Sequence, residues 1–429
     1  MIGFETLYGW VRDLPIIDWH NHLDMKMLAE DKPLGSLYEV WVKSDPYKHR
    51  AMRICGEPER VVTGDATEDE KWAAWMRTLP KLVGNPLFAW TKMEMAFLNG
   101  QWNGERPLVS RLTSHAIHRL ENISMGDWTP SKMLAKFGVE YLSPCVAADG
   151  GKVEKWKSGK VETANEGGVK ISPSLRMDAG DEVSVETLEK FHAAGCRVVD
   201  ISVDDVSQLP TYNSQLLTVA AFAATHGWTI LLHLGALRET SARLRAAAGP
   251  AGGFAGMRAP ADPAAVAAFL NKLEATPNVF SHKEHKDRKE ISAHSVPLRE
   301  INTSLPRTIL LSLNPEAHAQ LAVLAGSFVE AGVPGKVQLG PAWWWCDHEE
   351  GIRDVLEKNA AYGVLSTFVG MTTDSRSLLS FVRHDYFRRI LCKWVAEKVA
   401  SGAFPDDESL LRPMLENICY KNAHDMVFS

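Results

Sequence analysis

Two short stretches of this chain carry residue types suited to chemistry at the end of a strand. Near the start, Pro15-Ile16-Ile17-Asp18-Trp19 leads into His20-Asn21-His22. Residues i and i+2 of a strand point to the same side, so the two imidazoles can reach one metal from a single strand end. With 15 His in 429 residues, chance alone supplies about 0.5 such pairs, so the motif draws its weight from the apolar run before it. The second stretch runs from Gly363 to Arg389. Its β-branched, apolar first half ends in Asp374 and Arg376, and a basic-aromatic helical pattern follows. The last strand of an α/β barrel looks like this when it delivers an acid and a cation to the catalytic rim.

Other residues join these two sets. Leu231-Leu232-His233-Leu234-Gly235 places His233 at the carboxyl end of a further run, with Arg238 five residues on. His20, His22, His233 and Asp374 together offer nitrogen and carboxylate donors that suit zinc or another divalent transition metal. The run 309–314 supplies no histidine, so one metal is expected. Arg176, Arg238 and Arg376 each follow or close a run, which puts all three on one rim. One rim arginine is usually a solvated charge. Three around a metal imply an anionic, oxygen-rich ligand such as a carboxylated sugar, because guanidinium pairs with carboxylates in fork geometry. Tyr47 could bring a hydroxyl donor to that rim. Of Trp343-Trp344-Trp345, strand alternation is expected to turn at least one ring toward the barrel mouth, where sugar-binding sites often use a flat apolar face. No Gly-x-Ser-x-Gly elbow, phosphate loop or dinucleotide fingerprint occurs, which leaves the metal as the expected cofactor.

The elements that must position these residues alternate. Strand-like runs at 15–24, 139–144, 169–176, 196–203, 229–235, 307–314, 336–345 and 364–371 are separated by helical stretches, which suggests a single (β/α)₈ barrel; a doubly wound sheet fits the same alternation. From 25 to 135 the texture is helical, as at 69–82 and 85–98, so the reading is a barrel of 1–24 plus 136–429 with a helical insertion after its first strand. The stretches 246–263 and 282–290 read as surface loops. A net charge of −6 offers no field for a phosphate backbone, which excludes nucleic acid and favours a small solute. Six scattered cysteines form no Cys-x-x-Cys and read as reduced thiols, and no leader or membrane span is legible. A cytoplasmic protein is expected, and a homo-oligomer is compatible with its composition.

The chain resembles the uronate isomerase (glucuronate isomerase) family of the amidohydrolase superfamily over nearly its whole length. The likeness is carried by Asp18-Trp-His20-Asn-His22-Leu23, Tyr47 to Arg53, Gly84-Asn-Pro-Leu87, Leu232 to Arg238, Ser312-Leu-Asn-Pro315, Gly370 to Arg376, and most specifically Arg383 to Cys392. The resemblance implies a distorted (β/α)₈ barrel with a helical insertion and a mononuclear metal site. It also implies interconversion of D-glucuronate with D-fructuronate, and of D-galacturonate with D-tagaturonate. His20 and His22 would be metal ligands, with Asp374 beside or bound to the metal and relaying a proton from C2 to C1. Arg376 would shield the enediolate and Tyr47 would donate to the C1 oxygen. Arg176, Asp200, His233 and Arg238 match further substrate-site positions. The chain departs from the family pattern at Ile201, at Glu239-Thr240-Ser241, at Phe254 to Arg258, and at Pro144-Cys145-Val146. Those departures bear on which sugar acid is bound, and a lactone or amide hydrolase or a non-catalytic sugar-acid binder are the other readings.

Overall fold

The computed structural model describes residues 1–100, 125–148, 160–161, 168–178, 181–211, 214–250, 252–276 and 305–428. Numbering only the barrel strands, β1 (Ile16–Asn21), β2 (Val139–Ala147), β3 (Ser174–Asp178), β4 (Val198–Val203), β5 (Thr229–Leu234), β6 (Arg307–Ser312) and β7 (Val337–Leu339) pair in that order, each parallel to the next. Helices Val185–Ala193, Ser214–Thr225, Pro263–Ala275 and His318–Ala325 connect β3 through β7, as parallel pairing requires. The two faces divide by side-chain parity. Ile17, Trp19, Tyr141, Val198, Leu231, Ile309 and Leu311 share one interior cluster, whereas Val199, Ile201, Val203, Ile230, Leu232 and Leu234 pack outward on helix residues such as Phe191, Phe222 and Phe269. The architecture is a barrel-like α/β fold.

The eighth run differs from its expected form. Within 364–371 the chain makes a 3₁₀ turn at Leu365–Thr367 and then runs extended without a strand ladder. Side chains do the work of the ladder. Buried Asp18 accepts from the Thr372 hydroxyl at 3.0 Å, from the Thr373 N–H at 2.7 Å and from the Thr373 hydroxyl at 2.8 Å. The backbone adds two bonds, Asp374 N–H to His20 O at 3.1 Å and His22 N–H to Ser375 O at 2.8 Å. These draw the last segment alongside β1.

Three other sequence expectations are corrected. The run 169–176 is split at Pro173, which has no N–H for a ladder: Val169–Ile171 pairs with Tyr141 and Leu142 early in β2, and β3 pairs with Cys145 to Ala147 at its end. The run 336–345 is a strand only at Val337–Leu339, so the tryptophan triplet lies beyond it in a turn where Trp345 has φ 63°. The stretch 246–263 is not wholly loop. Helix Ala242–Ala248 enters it, and Gly256–Met257 pairs antiparallel with Ala236–Leu237. The segment 282–290 lies outside the described residues.

Between β1 and β2 in the chain, the described residues form helices, among them Leu37–Trp41, Pro46–Ile54, Glu68–Thr78 and Pro86–Leu98. Their core, with Trp41, Trp75, Trp90 and Phe97, is continuous with Leu142 of β2 and with Leu379 and Phe381 near the C-terminus. The helices are thereby anchored to the barrel by a shared apolar cluster, each large buried side chain contributing roughly 1.5–3 kcal/mol.

Candidate active site

A cavity of about 400 Å³ opens at the carboxyl ends of the strands. It is lined by His20, His22, Tyr47, Arg176, His233, Arg238, Trp343, Asp374 and Arg376, so the residues singled out in the sequence converge, save Asp200, which lies fully buried just behind them.

His20 is the penultimate residue of β1 and His22 lies just past its end, with ring centroids 5.2 Å apart. The Nε2 atoms of His20 and His22 lie 3.1 and 3.0 Å from the same Asp374 oxygen. Burial opposes ionisation of Asp374, but these hydrogen bonds outweigh it and hold the carboxyl well below its ordinary range. Asp374 itself has φ 47°, a left-handed conformation that Asp tolerates better than most residues, and it is pinned there through the His20 carbonyl. The other His20 nitrogen, Nδ1, faces Cys145 Sγ at 3.4 Å, and that sulfur is also 3.4 Å from Asp200 Oδ2.

Asp200 organises the next sector. Register places it opposite Arg176 across the β3–β4 ladder, and the two side chains form an ion pair. Its other oxygen meets His233 Nδ1 at 2.6 Å. Burial works against the Asp200 charge, and Arg176 and His233 override it, holding the group well below the usual carboxylate range. Burial pushes His233 down, toward the neutral imidazole. His233 is therefore fixed from behind by Asp200, and its ring packs on Trp343 with centroids 4.3 Å apart. Arg238 is held by the Ser202 hydroxyl and by Asp178 at 3.2 Å. Arg376 makes no hydrogen bond or ion pair among the described residues, so its fork is uncommitted at the cavity wall.

Tyr47 reaches the cavity from helix Pro46–Ile54, whose cap Asp45 accepts from the N–H groups of Tyr47 and Lys48. Lys48 is buried between the rings of Trp41 and Trp75 and pairs with Asp45, which fixes the first turn of this helix. Gly253, with φ 82°, passes so close that a Cβ there would stand 2.1 Å from the Pro46 carbonyl oxygen. Arg53 bonds both Glu59 oxygens and the Gly252 carbonyl, which ties the helix to the loop after β5. The Tyr47 hydroxyl hydrogen-bonds Asp347 Oδ1 at 2.9 Å and accepts from the Trp345 N–H at 3.2 Å. Asp347 Oδ2 in turn receives Arg383 Nη1 at 3.1 Å.

Sequence reasoning assigned no role to Asp347, Arg383, Cys145, Asp178 or Asp18. Arg383 did stand in the most specific of the quoted motifs, and Asp347 follows the tryptophan triplet by two residues, so both carried a weak signal. The arrangement as a whole can hold a cation, bind an anion through arginine forks, and present a carboxylate and a phenol to the same small cavity.

A family model described as glucuronate isomerase matches residues 4–211 and 294–427. A uronate isomerase from Caldicellulosiruptor bescii is 31% identical over 98% of this chain and 96% of its own length. One from Bacillus licheniformis is also 31% identical, covering 98% of this chain and 94% of that protein. Among solved structures, uronate isomerase from Thermotoga maritima superposes with a TM-score of 0.77 at 23% identity, covering 99% of this chain and 97% of that one. Glucuronate isomerase from Caulobacter crescentus gives 0.74 at 19%, covering 99% and 93%. Both structural likenesses bear on the fold.

Proposed function

Because this chain belongs to the glucuronate isomerase family, we propose that it interconverts D-glucuronate with D-fructuronate, and D-galacturonate with D-tagaturonate, by moving a proton from C2 to C1. The observation that carries this reading is the convergence of Asp374, uncommitted Arg376 and Tyr47 on one cavity that Arg176, Arg238 and Arg383 also line.

One divalent metal, zinc by the donor chemistry, is part of the proposal. Two imidazole Nε2 atoms meet one carboxylate oxygen, and the His20 nitrogen on the far side is turned onto Cys145, the orientation a ligand imidazole adopts. His20, His22 and Asp374 would hold the ion. Bound there, it would supply a Lewis-acid anchor for the sugar acid's carboxylate and adjacent hydroxyl.

The chain's own groups account for the rest. Asp374 takes the C2 proton and returns it to C1, aided by the pinned backbone that fixes its reach. Loss of that proton beside a carbonyl develops enediolate charge, and the free Arg376 fork is placed to shield it. Arg176 and Arg238, both held rigid by aspartates, orient the substrate's oxygens, and Trp343 with His233 forms a wall against the ring or chain. Tyr47 faces the C1 oxygen.

C2-deuterated glucuronate tests the scheme with wild type and Asp374→Asn, the latter nearly isosteric but unable to accept a proton. The expected result is partial loss of deuterium to solvent in wild type and loss of isomerisation in the variant. Robust turnover by Asp374→Asn would overturn the assigned base.

A further inference from the structure

The Tyr47 hydroxyl has one proton and two lone pairs. Its proton goes to Asp347 Oδ1 at 2.9 Å, and the Trp345 N–H, which can only donate, fills one lone pair at 3.2 Å. The phenol therefore turns a lone pair to the cavity. It can accept from a hydroxyl there, but it cannot stabilise a carbonyl oxygen that gains electron density. A donor for that oxygen has to come from another group at the same corner.

Arg383 stands at that corner. It lines the cavity, yet its side chain is only 4% exposed. A guanidinium carries five N–H donors. Nη1 uses two of them, on Asp347 Oδ2 at 3.1 Å and on the Thr373 carbonyl at 3.3 Å. Nε is buried without a partner, and Nη2 makes no hydrogen bond among the described residues. Open donors on a buried cation are costly unless a ligand fills them. The group is also fixed in place, with its guanidinium carbon 3.9 Å from the Trp90 ring centroid and 5.1 Å from that of Tyr47. Burial pushes the Asp347 carboxyl above its ordinary value, and the two donors aimed at it, Arg383 and Tyr47, hold it as an acceptor. Thr373 precedes Asp374, so Arg383 bridges the backbone of the base and the neighbourhood of the phenol.

Resting on the isomerase reading above, we propose that Arg383 is a catalytic residue: the Nη2 edge of its guanidinium donates to the C1 oxygen of the open-chain uronate, while Tyr47 accepts from a substrate hydroxyl. When Asp374 takes the C2 proton, the C2–H electron pair becomes the C1=C2 bond and the carbonyl pair moves onto the C1 oxygen, where Arg383 meets the charge. The C2 hydroxyl proton then passes to that oxygen, and Asp374 returns its own proton to C1 as the C2 carbonyl forms. Arg383 gives up no proton, in keeping with a group that stays charged in proteins. Arg376 shields the rest of the enediolate.

The test measures D-glucuronate turnover in wild type, Arg383→Lys and Tyr47→Phe, with thermal unfolding of each as the check on folding. Lysine keeps the charge opposite Asp347 and loses the Nη2 edge, so Arg383→Lys should lose about 100-fold or more in kcat with a smaller change in KM. Tyr47→Phe should lose about tenfold or less, since only an acceptor is removed. A second pair serves if the lysine variant does not fold: Arg383→Gln together with Asp347→Asn removes the buried charges as a pair, and its kcat should fall about 100-fold below that of Asp347→Asn alone. A readout apart from turnover is the binding of glucuronate reduced to the alcohol at C1, which has no carbonyl on which charge can develop. Its Kd should stay within about tenfold of wild type in Arg383→Lys. The proposal is overturned by kcat within about threefold of the reference in Arg383→Lys or in the paired variant, or by a larger loss in Tyr47→Phe than in Arg383→Lys. A loss of affinity for the alcohol as large as the loss of kcat also overturns it, by assigning Arg383 to the shape of the cavity. Wild type that isomerises no uronate sinks the isomerase reading and this proposal with it, whereas an active wild type with any of those outcomes sinks this proposal alone.

Discussion

Asp18 accepts two hydrogen bonds from a single residue, Thr373, one from its N–H at 2.7 Å and one from its hydroxyl at 2.8 Å. Strand β1 is thereby joined to the segment that bears Asp374 through a side chain rather than through a ladder. Asp18 also receives His384 Nε2 at 3.0 Å and Asn21 Nδ2 at 3.0 Å, so one buried carboxylate fixes three parts of the chain around the cavity.

Replacing Asp18 by Ala should therefore lower stability by about 3 kcal/mol or more, because several buried donors lose their acceptor together. Urea unfolding is the measurement. A change under about 0.5 kcal/mol would show that the closure does not depend on this carboxylate.

Metal binding is expected at a stoichiometry of one per chain in wild type and should be lost when His20 and His22 are both changed to Ala. Elemental analysis of the folded variant decides it. Chelation should abolish turnover and added zinc should restore it, whereas full metal content in the double variant would exclude this site.

Cys145 receives His20 Nδ1 on the side away from Asp374. Partners of this kind typically change metal affinity 10- to 100-fold when removed, so Cys145→Val should weaken metal retention by about that factor in a competition titration with a chelator. Unchanged affinity would assign the sulfur to packing alone.

Arg376→Lys keeps the charge but loses the planar fork. Turnover should drop by about 100-fold with a smaller change in KM, since the guanidinium is argued to act on charge that develops during reaction. Steady-state kinetics at wild-type values would remove Arg376 from the mechanism.

His49, two residues beyond Tyr47, is buried, and its Nε2 has no hydrogen-bond partner among the described residues. Burial lowers it from 6.5 to about 4 in the folded chain. Above pH 6.5 neither folded nor unfolded chain protonates it, so its neutral form costs nothing there. Between that pH and about 4 the unfolded chain takes up a proton that the folded chain refuses, so stability falls as pH falls, by about 3 kcal/mol in all. Denaturation midpoints across this range should flatten in His49→Gln. An equal slope in that variant would place the titration elsewhere.

Much of the site was legible because most of its residues lie on strands near their carboxyl ends, where a two-residue period and flanking apolar runs leave a clear trace: His20, His233 and Arg176 carry it, and Asp374 follows an apolar run that is extended without being a strand. The alternation of strands and helices likewise gave the barrel-like class. The eighth run read as a strand since its composition is β-branched, and composition cannot say that a neighbouring Asp and two threonines will take over the backbone pairing. Pro173 was the visible cue that the third run divides. Asp347 and Arg383 were missed for a different reason: each gains meaning only from the other, across 36 positions of chain, and no local period links them.

The left-handed backbone at Asp374 also bears on how the protein meets its ligand. Its conformation is settled when the chain folds, by the bonds to His20 and from His22, so the carboxylate has no loop to wait for. Association should then be limited by diffusion and desolvation rather than by a slow rearrangement of this wall, and the rate at which ligand saturates the site should climb linearly with its concentration instead of reaching a plateau.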